Sequence, residues 1–234
     1  MRQALITGGA RGIGRGIANA MLEAGYAVTV TGLTPDEIKT VPAREHLEAV
    51  QLDVTNDAQV TDLLARFDSL DAVVNCAGII MRGAEYDIET FKKVVDVNLT
   101  GTMRVCVAAK PLLAKSTNAA IVNTASMLSF FGGALVPAYA ASKGGIAQLT
   151  KSLAIAWASE GIRVNAIAPG WISTELTRGL TSDEARSAAI LARTPMKRWG
   201  EPADIGGSIV YLCSDAARFV TGIVLPIDGG YAAM

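Results

Sequence analysis

Tyr139 and Lys143 stand four residues apart in the stretch AYAASK, residues 138–143. On a helix that spacing places phenol and ammonium on one face, able to lean toward the same point. A phenol ordinarily titrates near pH ~10, too high for a base at neutral pH. A neighbouring cation favours the phenolate and lowers that value. The pair would then be an acid/base with its own tuner. An ordinary helix surface or a dimer face gives the same spacing, so the decision falls to the rest of the chain.

The second group of interest is glycine-rich. ALITGGARGIGRGIA runs from strand-type sequence through Gly8, Gly12 and Gly14 into helix-type sequence. Missing side chains let backbone N–H groups approach a pyrophosphate, and a helix N-terminus adds positive potential. The competing reading is a tight turn whose glycines serve packing. A strand before and a helix after favour dinucleotide binding. Two later stretches point to the same crevice. LDVT puts Asp53 at the end of a strand, where a carboxylate can accept from an adenine amino group, and NCAG (75–78) ends a strand with Gly78.

Positioning these groups requires a sheet. Apolar strand segments recur at 4–7, 27–31, 47–54, 71–78, 119–126, 162–169 and 222–228, with helical patterns near 12–24, 57–67, 87–114, 140–160 and 203–214. Strands alternating with helices predict a single α/β domain over 1–234, a doubly wound parallel sheet of about seven strands with helices on both faces. The link at 32–46 has room for little helix. The polar excursion at 171–200 has the length of a binding loop or lid.

Composition excludes several classes. Half the 234 residues are hydrophobic, enough for one core, and the net charge is −1 with no basic run. That argues against a nucleic-acid surface. Cys76, Cys106 and Cys213 are too dispersed for a disulfide frame or metal site and read as buried thiols. The single histidine, His46, lies in a polar stretch, so no metal is expected. No apolar run reaches the ~18 residues of a membrane span, and MRQALITGG enters strand sequence without a signal peptide. A cytoplasmic protein with a small-molecule substrate is the expectation.

TGGARGIG (7–14), NCAG (75–78), VNLTG (97–101), NTASM (123–127), YAASK (139–143), APGWIST (168–174) and IDGGY (227–231) resemble, in order and spacing, the short-chain dehydrogenase/reductase family. The one departure within the motifs is Cys76, where asparagine is usual. The resemblance implies a catalytic set of Asn98, Ser126, Tyr139 and Lys143. Tyr139 would move the proton. Lys143 would lower its pKa and bind the nicotinamide ribose. Ser126 would hold the substrate oxygen, and Asn98 a water linking Lys143 to solvent. The Rossmann-type fold it implies makes Gly8, Arg11, Gly12, Ile13, Gly14, Asp53, Val54, Asn75, Ala77, Gly78, Pro169, Gly170, Ile172 and Thr174 the expected cofactor contacts, with Tyr139 and Lys143. Family members are usually homotetramers or homodimers, and the apolar stretches at 101–114 and 144–158 fit such packing.

The cofactor and substrate expectations draw on residues as well. The second strand ends VTVTGLT (28–34), with no carboxylate until Asp36, whereas an NAD site usually places an acid there for the ribose 2′-hydroxyl. Thr31, Thr34 and Arg11 are available to a 2′-phosphate, so NADP is expected over NAD. Residues 125–143 and 185–205 resemble the gluconate and uronate dehydrogenases of the family. Arg82, Arg178, Arg186, Arg193, Lys197 and Arg198 offer cations for a substrate carboxylate. A 3-oxoacyl-carrier-protein reductase shares every motif and stays open as the alternative. A non-catalytic NAD(P)-sensing regulator is the alternative of a different class, and the complete catalytic set speaks against it.

Overall fold

The structure, a computed structural model, describes residues 1–233. Seven parallel strands form one sheet: β1 (Arg2–Thr7), β2 (Tyr26–Gly32), β3 (Leu47–Gln51), β4 (Ala72–Asn75), β5 (Ala120–Thr124), β6 (Arg163–Pro169) and β7 (Val224–Ile227). Their order is β3-β2-β1-β4-β5-β6-β7. The chain leaves β1 toward β2 and later returns to its other side at β4, where Ala4 pairs Ala72 and Thr7 pairs Asn75. That reversal opens a crevice at the carboxyl ends of β1 and β4, where ligands meet such sheets.

Strand parity divides the core. Leu5, Val73, Ile121 and Val164 pack on one face with α3 (Asp57–Leu64), α5 (Gly101–Leu113) and α6 (Pro137–Trp157). Ala4, Ile6, Val28, Val30, Val74 and Val122 pack on the other with α1 (Gly12–Glu23) and α9 (Pro202–Cys213). Burial on both faces accounts for strands that read as continuous apolar runs.

Several expected boundaries shift. The third strand stops at Gln51, so Asp53 and Val54 lie in the turn beyond it. The link at 32–46 still fits a five-residue helix, α2 (Pro35–Lys39), because Thr34 caps it and Pro35 opens it. The helix expected over 87–114 is α4 (Ile88–Val95) running into α5 through a π-turn at Asp96–Thr100. The excursion after β6 carries two helices, α7 (Arg178–Thr181) and α8 (Glu184–Arg193), neither of which buries a residue. Among the described residues no helix is long and apolar enough to cross a membrane.

Candidate active site

The carboxyl end of β5 begins the site. Past Thr124 the chain turns at Ser126, whose Oγ accepts from the Leu128 N–H at 3.2 Å and caps a 3-10 turn at Met127–Ser129. The serine O–H is thereby left to donate elsewhere. Ser129 Oγ accepts from the Ser126 N–H (3.2 Å) and donates to the Lys143 carbonyl (2.6 Å), fastening this turn to α6.

α6 starts at Pro137, a residue suited to a first helical turn. Tyr139 therefore sits in that turn and Lys143 one turn on. Lys143 Nζ lies 5.5 Å from the centre of the Tyr139 ring, so the expected shared face exists. Burial acts on both members of the pair. Nζ donates to the Thr124 carbonyl at 2.6 Å, and burial pulls the ammonium down to about 8. Burial likewise pushes the Tyr139 phenol above its ordinary value, with Ser126 pulling down and the charges of Cys76 and Glu85 adding to the rise. In the ligand-free chain desolvation is the largest influence on the phenol, and Lys143 stands beside its ring. The Ser126 hydroxyl is the group that pulls the phenol down.

The lysine shift has a thermodynamic consequence for the ligand-free protein. Lys143 is only 4% exposed. Between pH ~8 and ~10.4 the unfolded chain keeps the proton that the folded chain has lost, so stability rises with pH across that window. Wild type should gain up to about 3 kcal/mol relative to Lys143→Met between those pH values. Denaturant titrations of both proteins at a series of pH values check this, and parallel stability curves would refute it.

Asn98 lies in the π-turn, a feature that recurs at functional sites. Its Oδ1 accepts from the Ile79 N–H (2.8 Å), and its Nδ2 donates to the Ile79 carbonyl (3.0 Å) and Ser142 Oγ (3.1 Å). Ser142 Oγ donates to the Tyr139 carbonyl at 2.8 Å. Asn98 therefore braces the segment after β4 against the first turns of α6. A water on Asn98 would have to use the second Oδ1 lone pair or the backbone. Gly78 leaves room above, since a Cβ there would stand 3.2 Å from Asn98 Oδ1 and 3.7 Å from Lys143 Nζ.

The glycine loop closes the other end of the crevice. Gly8 has φ +64°, and a Cβ on it would meet Ala77 N and Cα at 2.8 Å. A Cβ on Gly14 would strike the Gly8 carbonyl and stand 2.8 Å from Gly9 Cα. Thr7 Oγ1 accepts from the Cys76 and Ala77 N–H groups (3.2 and 3.3 Å) and stitches the two strand ends together. No side chain caps α1, and its first turn has no acid. A pyrophosphate fits this cradle of bare backbone. Gly12, Ile13 and Arg11 open the helix there. Thr174, expected at the carboxamide or the pyrophosphate, places its Cγ2 3.6 Å from where a Gly12 Cβ would be. Pro169 and Gly170 end β6 at the same sheet edge. Asp53 spends Oδ1 on Thr55 N–H and Oγ (2.9 and 2.7 Å).

Three of the expected contact residues direct their side chains into the core. Asn75 turns away from the crevice into the core, donating to Asn123 Oδ1 (2.9 Å) and Cys106 Sγ (3.2 Å). Val54 is buried against Gly101, and Ile172 is buried beside α9 residues. Only their backbones are candidates for cofactor contact.

Two carboxylates were not legible as site residues. Glu37, from α2, reaches back to the end of β2, where Oε2 accepts from the Leu33 N–H (2.7 Å) and Oε1 pairs with Arg11 (3.0 Å). Arg11 also pairs with Glu175 (3.2 Å), tying the glycine loop to the excursion. Glu85 is buried beneath Tyr139. Of the expected substrate cations, Arg178, Arg186 and Arg198 pair with Glu175, Asp183 and Asp204, and Lys197 donates to the Ala192 carbonyl. Arg193 instead stacks on Tyr231 and Phe131, 4.3 and 5.3 Å from the ring centres. Among the described residues, neither it nor Arg82 has a carboxylate partner. No cluster of three metal-ligating side chains occurs among them either.

A family model described as enoyl-(acyl carrier protein) reductase matches residues 8–232. The 2-dehydro-3-deoxy-D-gluconate 5-dehydrogenase of Bacillus subtilis (strain 168) is 42% identical over 98% of this chain and 94% of its own. The cis-4-hydroxycyclohexanecarboxylate dehydrogenase of Sinomonas cyclohexanicum is 37% identical over 100% of this chain and 97% of its own. The crystal structure of a gluconate 5-dehydrogenase from Burkholderia cenocepacia J2315, in complex with NADP and tartrate, superposes with a TM-score of 0.93 at 34% identity, covering 100% of this chain and 96% of that one.

Proposed function

This chain belongs to the short-chain dehydrogenase/reductase family, and from that premise we propose that it is an NAD(P)-dependent oxidoreductase interconverting a secondary alcohol and a ketone on a sugar acid or related polyhydroxy carboxylate. The observation that carries the reading is the gathering of Ser126, Tyr139 and Lys143 beside the end of β5. The nicotinamide, when bound, supplies or takes the hydride. Ser126 and Tyr139 direct two O–H groups at the substrate oxygen. During reduction Tyr139 gives its proton to that oxygen, and during oxidation it takes the proton back. A phenol held above its ordinary value keeps the proton until the oxygen needs it. Lys143, with donors left after Thr124, holds the ribose. The glycine loop and Thr174 hold the pyrophosphate.

The carboxylate preference is supported by Arg193 and Arg82, which, like Lys197, have no acid partner among the described residues but, unlike Lys197, are not spent on backbone carbonyls. The two relatives and the tartrate complex named above share a carboxylate in the substrate or ligand they are named for. For the cofactor we retain NADP as preferred, through Arg11, with Glu37 limiting the margin. Its carboxylate stands where a ribose 2′-hydroxyl would be accepted and would repel a 2′-phosphate. The excursion at 171–200 is the substrate lid. Exposed Met103, Val107 and Ile155 on α5 and α6 support self-association, which sedimentation would test.

The decisive assay sets sugar acids, deoxy-keto uronates, neutral polyols and 3-oxoacyl thioesters against both cofactors. Turnover is expected on the carboxylates, at higher kcat/KM with NADP. Glu37→Gln should widen that preference. Activity confined to thioesters would replace this reading with the acyl-carrier-protein one. A tenfold preference for NAD would reverse the cofactor assignment.

A further inference from the structure

We propose that Glu85 is a positioning residue for Tyr139: its buried carboxylate, reaching from the loop after β4, caps α6 from outside the helix and fixes where the phenol stands in the cleft. The proposal rests on Tyr139 being the proton-transfer group assigned above. Glu85 is 1% exposed, yet it belongs to no ion pair among the described residues. Burying a carboxylate without a cation is costly unless its charge is met by hydrogen bonds. Two N–H groups meet it, Met81 N on Oε1 and Tyr139 N on Oε2, each at 2.8 Å. The second is one of the orphan donors that open any helix. The residue in the capping position, Val136, has no side chain able to satisfy it. The positive end of α6 stabilises the charge in return.

Glu85 thus supplies from another segment what Ser or Asp at position 136 would supply locally. The difference is one of placement: a remote cap ties the height of Tyr139 to the segment that also carries Gly78 and Ile79. The neighbouring backbone is held independently, since the Gly83 N–H donates to the Leu135 carbonyl (2.8 Å) and Tyr86 Oη to the Ala134 carbonyl (2.7 Å). Removing the carboxylate therefore leaves this loop clamped to the segment before α6.

The groups that face Tyr139 are Cys76 from the end of β4, Ser126 from the end of β5, Lys143 from α6 and Glu85 from the loop. Among these the Glu85 charge opposes ionisation of the phenol. Loss of that charge should move the acid limb of the oxidative kcat/KM profile to lower pH.

The test compares Glu85→Gln, Glu85→Asp and Tyr139→Phe. Glutamine offers one acceptor where two N–H donors converge. It should lower kcat by about tenfold to a hundredfold, the scale of a small misplacement, shift the acid limb to lower pH, and leave cofactor Kd within about twofold. Aspartate keeps the charge on a shorter arm and should lower kcat with the limb in place. Wild-type kcat and limb in the glutamine variant would overturn the proposal, as would a kcat loss with an unmoved limb, which is what a purely structural cap gives. Should the glutamine variant not fold, aspartate decides: unchanged kcat overturns the proposal, and a tenfold loss at unchanged cofactor affinity supports it. Tyr139→Phe retaining turnover would overturn the functional reading itself, a result separate from any Glu85 outcome.

Discussion

Tyr139→Phe is expected to lose at least about 10²-fold in turnover, the lower end of general acid/base contributions, while binding the dinucleotide as wild type does. The hydroxyl is the only atom removed. The ring remains under the Lys143 ammonium, and the Tyr139 backbone still donates to Glu85 and accepts from Ser142. The glycine cradle lies at the other end of the crevice and has no contact with the phenol. Steady-state kinetics together with cofactor titration by intrinsic fluorescence separate the two effects. Near-normal turnover would remove Tyr139 from the proton path, and a large loss of cofactor affinity would show that the substitution did more than delete a proton.

Gly14→Ala should fail in the complementary way. Its added Cβ meets the Gly8 carbonyl and Gly9 Cα, both backbone, so no side chain can rotate to relieve the clash. Overpacking of this kind costs about 1–3 kcal/mol. The relief available is movement of the loop itself, which pulls the N–H groups of the cradle apart. Cofactor affinity should fall at least about tenfold, equivalent to about 1.4 kcal/mol. Gly207→Ala in α9, whose Cβ would meet nothing within 4 Å, is the control. Better helix propensity should leave it as stable as wild type or more so. Equal cofactor affinity in the Gly14 variant would mean that the loop is not the phosphate cradle.

Much of this architecture was legible from the sequence because the signals are local. Apolar strands alternating with helices specify the sheet, and the glycine and Tyr–Lys spacings report a turn and a helix face. What could not be read depends on side chains reaching across the fold. Glu37 sits five residues past the end of β2, and only the hairpin-like return through Thr34 and Pro35 brings its carboxylate back. Glu85 occupies an unpatterned polar stretch, and its partner lies 54 residues away. The direction of the Asn75 side chain was readable from strand parity. Val73 faces α5, so strand parity sends Asn75 the same way, toward Cys106 and away from the crevice. Spacing reports the proximity of Lys143 to Tyr139 but not the desolvation that pushes the phenol up.

α7 and α8 lie in the excursion proposed as the lid, and neither contains a fully buried residue. Residues that contribute little to the core can be exchanged at little cost in stability. In this chain, then, the part that would choose the substrate is energetically separate from the part that keeps the protein folded. If those two helices form the lid, rewriting them should redirect substrate choice with the melting temperature scarcely recording the change.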